Sequence, residues 1–98
     1  MEKLMQKTAK NSFSPNYKTE SEALNRTYIY WQQNDHMERG DMAKIFEHLY
    51  LSPEHFKDTK IKICMDLNVN ERTLLRYRKK FIKLFIFNLE QLKQEKNA

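Results

Sequence analysis

Glycine is almost absent from this chain, and that scarcity constrains its fold more than any other feature. Its 98 residues include one glycine, Gly40, and two prolines, Pro15 and Pro53. Tight hairpins use glycine for positive φ angles, so a β-rich fold would lack its usual turns. Lysine, glutamate, glutamine, leucine and methionine are common and favour helices. We therefore predict an all-α fold, a small bundle of about four helices around one core.

The sequence favours a cytoplasmic protein. Cys64 is the only cysteine, so no internal disulfide can form, which suits a reducing compartment. No apolar run reaches the roughly 18 residues of a membrane-spanning helix. Residues 1–10 have no apolar signal-peptide core. We therefore expect no contact with a membrane.

The polarity of the chain changes after its first segment. Residues 1–18 are polar, show no clean period and contain Pro15, so we predict a flexible N-terminal arm followed by one helical domain over residues 19–98. Helical spacing begins at Thr19 and runs to about Gln33. A second amphipathic stripe then consists of Met42, Ile45, Phe46 and Leu49.

Polar residues and the single glycine indicate where these helices begin and end. Gly40 is expected to close the first helix or the loop after it. Asp41 is expected to cap the second helix, and Asp58 a third helix over residues 59–67. Asn70 is well placed to cap a long C-terminal helix that starts at Glu71 and runs to about residue 94.

Positive charge is concentrated in one stretch of the chain. The net charge is +5, yet the segment from Lys60 to Lys83 holds eight basic residues and only two acids. The rest of the chain is close to neutral. Such a confined basic excess is typical of a protein that binds a polyanion, although a merely solvated basic face gives the same pattern.

The segment 63–74 has the residue pattern of a helix-turn-helix motif. Such a motif needs a small residue where two helices approach, then an apolar residue. It also needs a residue that accepts a left-handed backbone, and an apolar residue that fills the turn. These positions are held, in order, by Cys64, Leu67, Asn68 and Val69. The sequence therefore predicts a helix-turn-helix over about residues 59–83.

This pattern resembles the helix-turn-helix of bacterial and phage transcription regulators. It is most similar to the ArpU-type phage late-gene activators and to the fourth region of sigma factors. The resemblance covers about residues 44–85, departs mildly at Asn68, where glycine is usual, and does not include residues 1–40. It implies a sequence-specific regulator of transcription that binds double-stranded DNA.

The predicted second helix has a basic face opposite an apolar face that consists of Leu74, Tyr77, Phe81 and Phe85. At 100° per residue, Arg72, Arg76, Lys79 and Lys83 fall within about 60° of one another. In helix-turn-helix proteins the start of this helix enters the major groove. The predicted DNA-binding residues are Asn70, Glu71, Arg72, Leu75, Arg76, Lys79, Lys80 and Lys83. The lysines suit phosphate, whereas Arg72 and Arg76 could read bases or contact phosphate only.

A second apolar stripe on the same helix indicates self-association. Its residues are Leu75, Ile82, Ile86 and Leu89. One small core covers one stripe of a helix, so we predict a homodimer with this stripe as its interface. The alternative is that the helices of residues 19–33 and 41–51 cover it. A rival function is a helical interaction module that binds a protein, such as RNA polymerase, through this stripe.

Catalytic and metal sites have no clear signal in the sequence. The spacing of His36, His48 and His55 matches no zinc pattern, and one cysteine cannot complete one. A glycine-rich phosphate loop cannot be built with one glycine. The sequence therefore predicts a protein that is not an enzyme, with no metal and no cofactor.

Overall fold

The computed structural model describes residues 1–96, which fold into five α-helices. Their bounds are α1 Glu2–Lys10, α2 Lys18–Glu38, α3 Met42–Phe46, α4 Lys60–Leu67 and α5 Glu71–Lys96. The described residues contain no strand, which confirms the all-α prediction. Over the same residues, no helix combines the length and apolar character needed to cross a membrane. Residues 97 and 98, the end of the predicted domain 19–98, lie outside the described part.

Short irregular helical turns connect some of these helices. A 3₁₀ turn at Pro15–Tyr17 leads into α2, and another at Pro53–His55 precedes α4. Between them, α3 continues directly into a wider π-type turn over Glu47–Leu51. The stripe predicted on this helix is confirmed, because Ile45, Phe46 and Leu49 are buried and Met42 packs against the core.

The core lies where α5 packs along α2, with α3 closing one side. The inner face predicted for α5 is confirmed, because Leu74, Phe81 and Phe85 are almost completely buried. Phe81 is the centre of an aromatic cluster: its ring centroid lies 5.4 Å from that of Trp31 and 5.3 Å from that of Phe46. These contacts fix the rotation of α5 about its axis and determine which face remains outside.

The segment predicted as a flexible arm instead forms α1 over half of its length. Met5 and Thr8 of this helix are completely buried, and the Thr8 hydroxyl donates to the Leu4 carbonyl oxygen over 2.7 Å. The Gln6 side chain donates to the carbonyl oxygen of Leu49 over 3.1 Å. Burial of a few apolar groups and these hydrogen bonds outweigh the polar composition that suggested disorder.

A charged pair also holds α1 against α5. The guanidinium of Arg78 donates twice to the Glu2 carboxylate, from Nε over 2.8 Å and from Nη2 over 2.6 Å. The Tyr50 hydroxyl donates to the same carboxylate over 2.6 Å. Burial alone would raise the pKa of Glu2, but the hydrogen bonds and charge of Arg78, with the Tyr50 bond, outweigh it and lower that pKa.

The junction between α2 and α3 differs in part from the prediction. The left-handed residue that ends α2 is Arg39, with φ of 56°, and Gly40 lies in the loop that follows, the second of its two predicted positions. Asp41 occupies the position before α3, but its side chain makes no capping hydrogen bond. Instead the Asp35 carboxylate, reaching over from α2, accepts from the backbone N–H groups of Met42 and Ala43, over 2.8 and 2.7 Å.

Replacing Asp35 with alanine should therefore destabilise the protein by about 1–2 kcal/mol, because it leaves two N–H groups at the start of α3 without their acceptor. Urea unfolding followed by circular dichroism measures this as a lower midpoint. Asp41→Ala is the matched control, and its midpoint should change little, since that side chain caps nothing. An equal loss in both variants would contradict the assignment of the capping role to Asp35 alone.

Candidate nucleic-acid interface

The turn between α4 and α5 has the geometry that the sequence pattern predicts. Asn68 ends α4 with a left-handed backbone, φ 54° and ψ 47°. Its N–H donates to the Met65 carbonyl oxygen over 3.3 Å, and the N–H of Val69 donates to that of Cys64 over 3.0 Å. This pair of bonds is a Schellman motif, which stops a helix and redirects the chain. The role predicted for Asn68 is confirmed.

Side chains on both sides of the turn hold α4 against the start of α5. Cys64, Leu67 and Val69 are partly buried and pack against the core. The carboxamide oxygen of Asn70 accepts from the Thr73 N–H over 2.8 Å, so its predicted capping role is also confirmed. The arrangement is a helix, a short turn and a second helix with a defined mutual orientation.

The cap at the start of α4 is not the predicted one. The Thr59 hydroxyl accepts from the backbone N–H of Lys62 over 3.2 Å. The predicted cap, Asp58, bonds elsewhere, because its carboxylate lies 2.8 Å from Nδ1 of His55 and 3.5 Å from Nζ of Lys62. The hydrogen bond with His55 and the neighbouring Lys62 together lower the pKa of Asp58.

The outer face of α5 presents the predicted DNA-binding side chains to solvent. Asn70 is exposed, and so are the seven other candidates, namely Glu71, Arg72, Leu75, Arg76, Lys79, Lys80 and Lys83. We call the five cations in this set, Arg72, Arg76, Lys79, Lys80 and Lys83, the α5 basic face. Within residues 1–96, none of these five side chains lies within salt-bridge distance of an acidic group.

Two other cations of the basic segment have structural partners instead. Arg78 is partly buried and binds Glu2, which raises the pKa of its guanidinium. Lys62 lies 2.9 Å from the Asp66 carboxylate, and this hydrogen bond raises the pKa of its ammonium group. Apart from Lys60, which is exposed at the start of α4, the charge free to meet a polyanion is therefore concentrated on the α5 basic face.

The predicted dimer interface is wrong for Leu89. That side chain is 7% exposed and belongs to the core, and Ile82 also packs against the core. Leu75 is 52% exposed, and Ile86 is intermediate. Because α2 packs along α5, much of this stripe is covered from within, as the alternative interpretation expected. The four residues do not form one continuous exposed seam.

An apolar surface beside the turn was not anticipated from the sequence. Ile61 and Met65 of α4 are largely exposed, although Ile63 and Leu67 of the same helix pack inward. With Val69 and Asn70, the exposed pair lines a shallow depression next to the start of α5. The sequence did contain a signal for this surface: Ile61 and Met65 are four residues apart and lie on a different face of α4 from Ile63 and Leu67.

Comparison of the chain with protein-family models, with curated proteins and with solved structures finds no match. The resemblance to phage and bacterial regulators therefore stays a prediction that rests on the residues quoted for it.

Proposed function

We propose that this protein binds double-stranded DNA by placing the first turns of α5 in the major groove. One observation carries the proposal: the α5 basic face is exposed, has no acidic partner among the described residues, and follows a helix-turn-helix turn directly. Cations aligned in this way gain their largest interaction energy from a regular array of negative charge, which duplex DNA provides.

The position of each side chain along α5 suggests its role. Glu71, Arg72 and Arg76 lie in the first two turns, which enter the groove in helix-turn-helix complexes. Arginine binds the guanine edge with two hydrogen bonds, and glutamate accepts from cytosine. Lys79, Lys80 and Lys83 lie further along and suit phosphates, which would fix the depth and angle of insertion.

The rigidity of α5 supports this mode of binding. Its inner face is anchored by Leu74, Phe81 and Phe85, so the outer face needs no folding step before it meets DNA. Binding with a preorganised surface loses less conformational entropy. With the resemblance, these features favour a sequence-specific transcription regulator of phage or bacterial type. The rival, a protein partner on the second stripe, loses support because Leu89 is buried and Ile82 is partly buried against the core.

Fluorescence anisotropy with a labelled random-sequence duplex tests the proposal. If all five cations of the α5 basic face contact phosphate, affinity should fall by about 10²–10³-fold between 50 and 200 mM salt, because each contact releases counterions. An association through apolar side chains would change little with salt. Absence of duplex binding at low salt would contradict the proposal.

Two double variants test whether the α5 basic face is the surface that binds DNA. Lys79→Ala/Lys83→Ala should weaken binding and reduce the slope of log K against log salt by about two units, because it removes two phosphate contacts. Lys18→Ala/Lys93→Ala removes the same charge from exposed positions outside the α5 basic face, and it should retain most of the affinity. Equal losses in the two variants would mean that net charge, and not this surface, governs binding.

A further inference from the structure

Four potential metal ligands meet at a place that the DNA-binding proposal does not use. His48 lies in the π-type turn after α3, His55 in the 3₁₀ turn, Asp58 just before α4 and Asp66 within α4. One ligand atom from each of the four lies within 4.8 Å of the others. Sequence spacing did not reveal this cluster, because only the fold brings these turns beside α4.

One nitrogen in this cluster has no hydrogen-bond partner among the described residues. Nε2 of His48 is buried from solvent and makes no hydrogen bond. Most buried polar side-chain atoms in proteins do have a partner, which can be an ordered water or an ion. A neutral imidazole is the form that binds metal ions.

The second imidazole is already oriented by a carboxylate. Nδ1 of His55 lies 2.8 Å from the Asp58 carboxylate, and the His55 ring stacks on that of His48 with centroids 4.0 Å apart. Two imidazoles and two carboxylates are a ligand set that zinc and related divalent transition metals accept.

The ammonium group of Lys62 is the competitor for this site. Its Nζ lies 2.9 Å from the Asp66 carboxylate and 3.5 Å from that of Asp58, so it balances the two acids. It makes no hydrogen bond to His48, however, and leaves Nε2 without a partner. The Lys62 side chain is more than half exposed on a flexible stem, so it can turn into solvent without disturbing the core.

We propose that His48, His55, Asp58 and Asp66 bind a divalent transition-metal ion of the zinc class, which displaces Lys62. Tetrahedral zinc with bonds of about 2.0 Å places its ligand atoms about 3.3 Å apart. The four ligand atoms lie at most 4.8 Å apart, so side-chain rotations that change these separations by about 1.5 Å at most bring them to that spacing. The ion links the turn after α3 to α4, and so braces the first helix of the helix-turn-helix motif.

Metal titration of the tag-free full chain, dialysed against a chelator and then buffer, tests this proposal. Zn²⁺ should raise the melting temperature, by roughly 10–20 °C when free zinc is 100 times the dissociation constant. Co²⁺ should give the visible absorption bands of a tetrahedral site. Neither a shift in melting temperature nor these bands at millimolar metal would overturn the proposal.

Variants locate the site and separate it from the Lys62 ion pairs. Asp66→Ala, at an exposed position where folding is not at risk, and His48→Asn should each weaken zinc binding by on the order of 10–100-fold. His36→Asn is the matched control, since His36 is exposed on α2 away from the cluster, and it should bind like the wild type. Lys62→Met should tighten binding. Equal zinc affinity in Asp66→Ala and His36→Asn, or weaker binding in Lys62→Met, would overturn the proposal.

Discussion

A chain shortened to begin at Asn11 should lose about 4–8 kcal/mol of folding stability, which is comparable to the total stability of a small domain. The truncation removes Met5, which is completely buried, and burial of such a side chain is worth about 2–5 kcal/mol. It also leaves Arg78 and the Tyr50 hydroxyl without the Glu2 carboxylate, at a further cost of about 1.5–3 kcal/mol. Urea unfolding monitored by circular dichroism measures the loss directly.

Point variants divide this effect between packing and charge. Met5→Ala should lower stability by about 2–4 kcal/mol and Glu2→Ala by about 2 kcal/mol. Lys3→Ala changes an exposed residue of the same helix and should have almost no effect. If the shortened chain unfolded at the same urea concentration as the full chain, α1 would not be docked in solution, and the flexible arm predicted from the sequence would be correct.

The first helix was missed because its stability depends on residues far away in the sequence. Within residues 1–18 the few apolar residues give no clear period, and a polar segment without a period is typical of a mobile end. What orders it is a carboxylate–guanidinium pair between Glu2 and Arg78, 76 residues apart. A single sequence carries no signal for such a pair.

The turn of the helix-turn-helix was predictable because its determinants are local. Asn68 supplies the left-handed backbone and Asn70 the cap, each through bonds to residues at most four positions away. The predictions of the other two caps were wrong because the determinants of those caps are not local. Asp41 and Asp58 are in plausible positions, but Asp35 reaches α3 across a loop and Thr59 takes the place of Asp58. Residue propensities identify candidate capping residues, and the tertiary structure determines which of them makes the capping hydrogen bond.

The candidate binding residues differ in the same way, because some were predictable from local sequence and others depend on tertiary contacts. The α5 basic face follows from helical periodicity alone, since its side chains lie opposite a stripe that the core must bury. The second stripe required knowledge of which helices pack on α5, and α2 covers Leu89. The cluster of His48, His55, Asp58 and Asp66 likewise joins two turns, the segment before α4 and α4 itself, so no spacing rule for zinc ligands could reveal it.

Replacing Phe81 with alanine should destabilise the protein by about 3–5 kcal/mol, the largest effect expected of a single substitution in this chain. Phe81 is 0% exposed, and its ring meets those of Trp31, Phe46 and Tyr50 at centroid distances of 5.4, 5.3 and 6.0 Å. Edge-to-face contacts of this kind add to the cost of the cavity left behind. Thermal and urea unfolding should both register the loss.

Phe87→Ala is the matched control, because it removes the same side chain from the same helix at a position that is 56% exposed. Its stability should change by about 0.5 kcal/mol or less, as for most surface substitutions. Because Phe81 anchors the inner face of α5, its loss should also reduce the proposed binding to DNA in proportion to the fraction of unfolded chain, whereas Phe87→Ala should leave that binding unchanged. If both variants unfolded at the same urea concentration, Phe81 would not be the centre of the core, and the orientation of the α5 basic face would lose its main support.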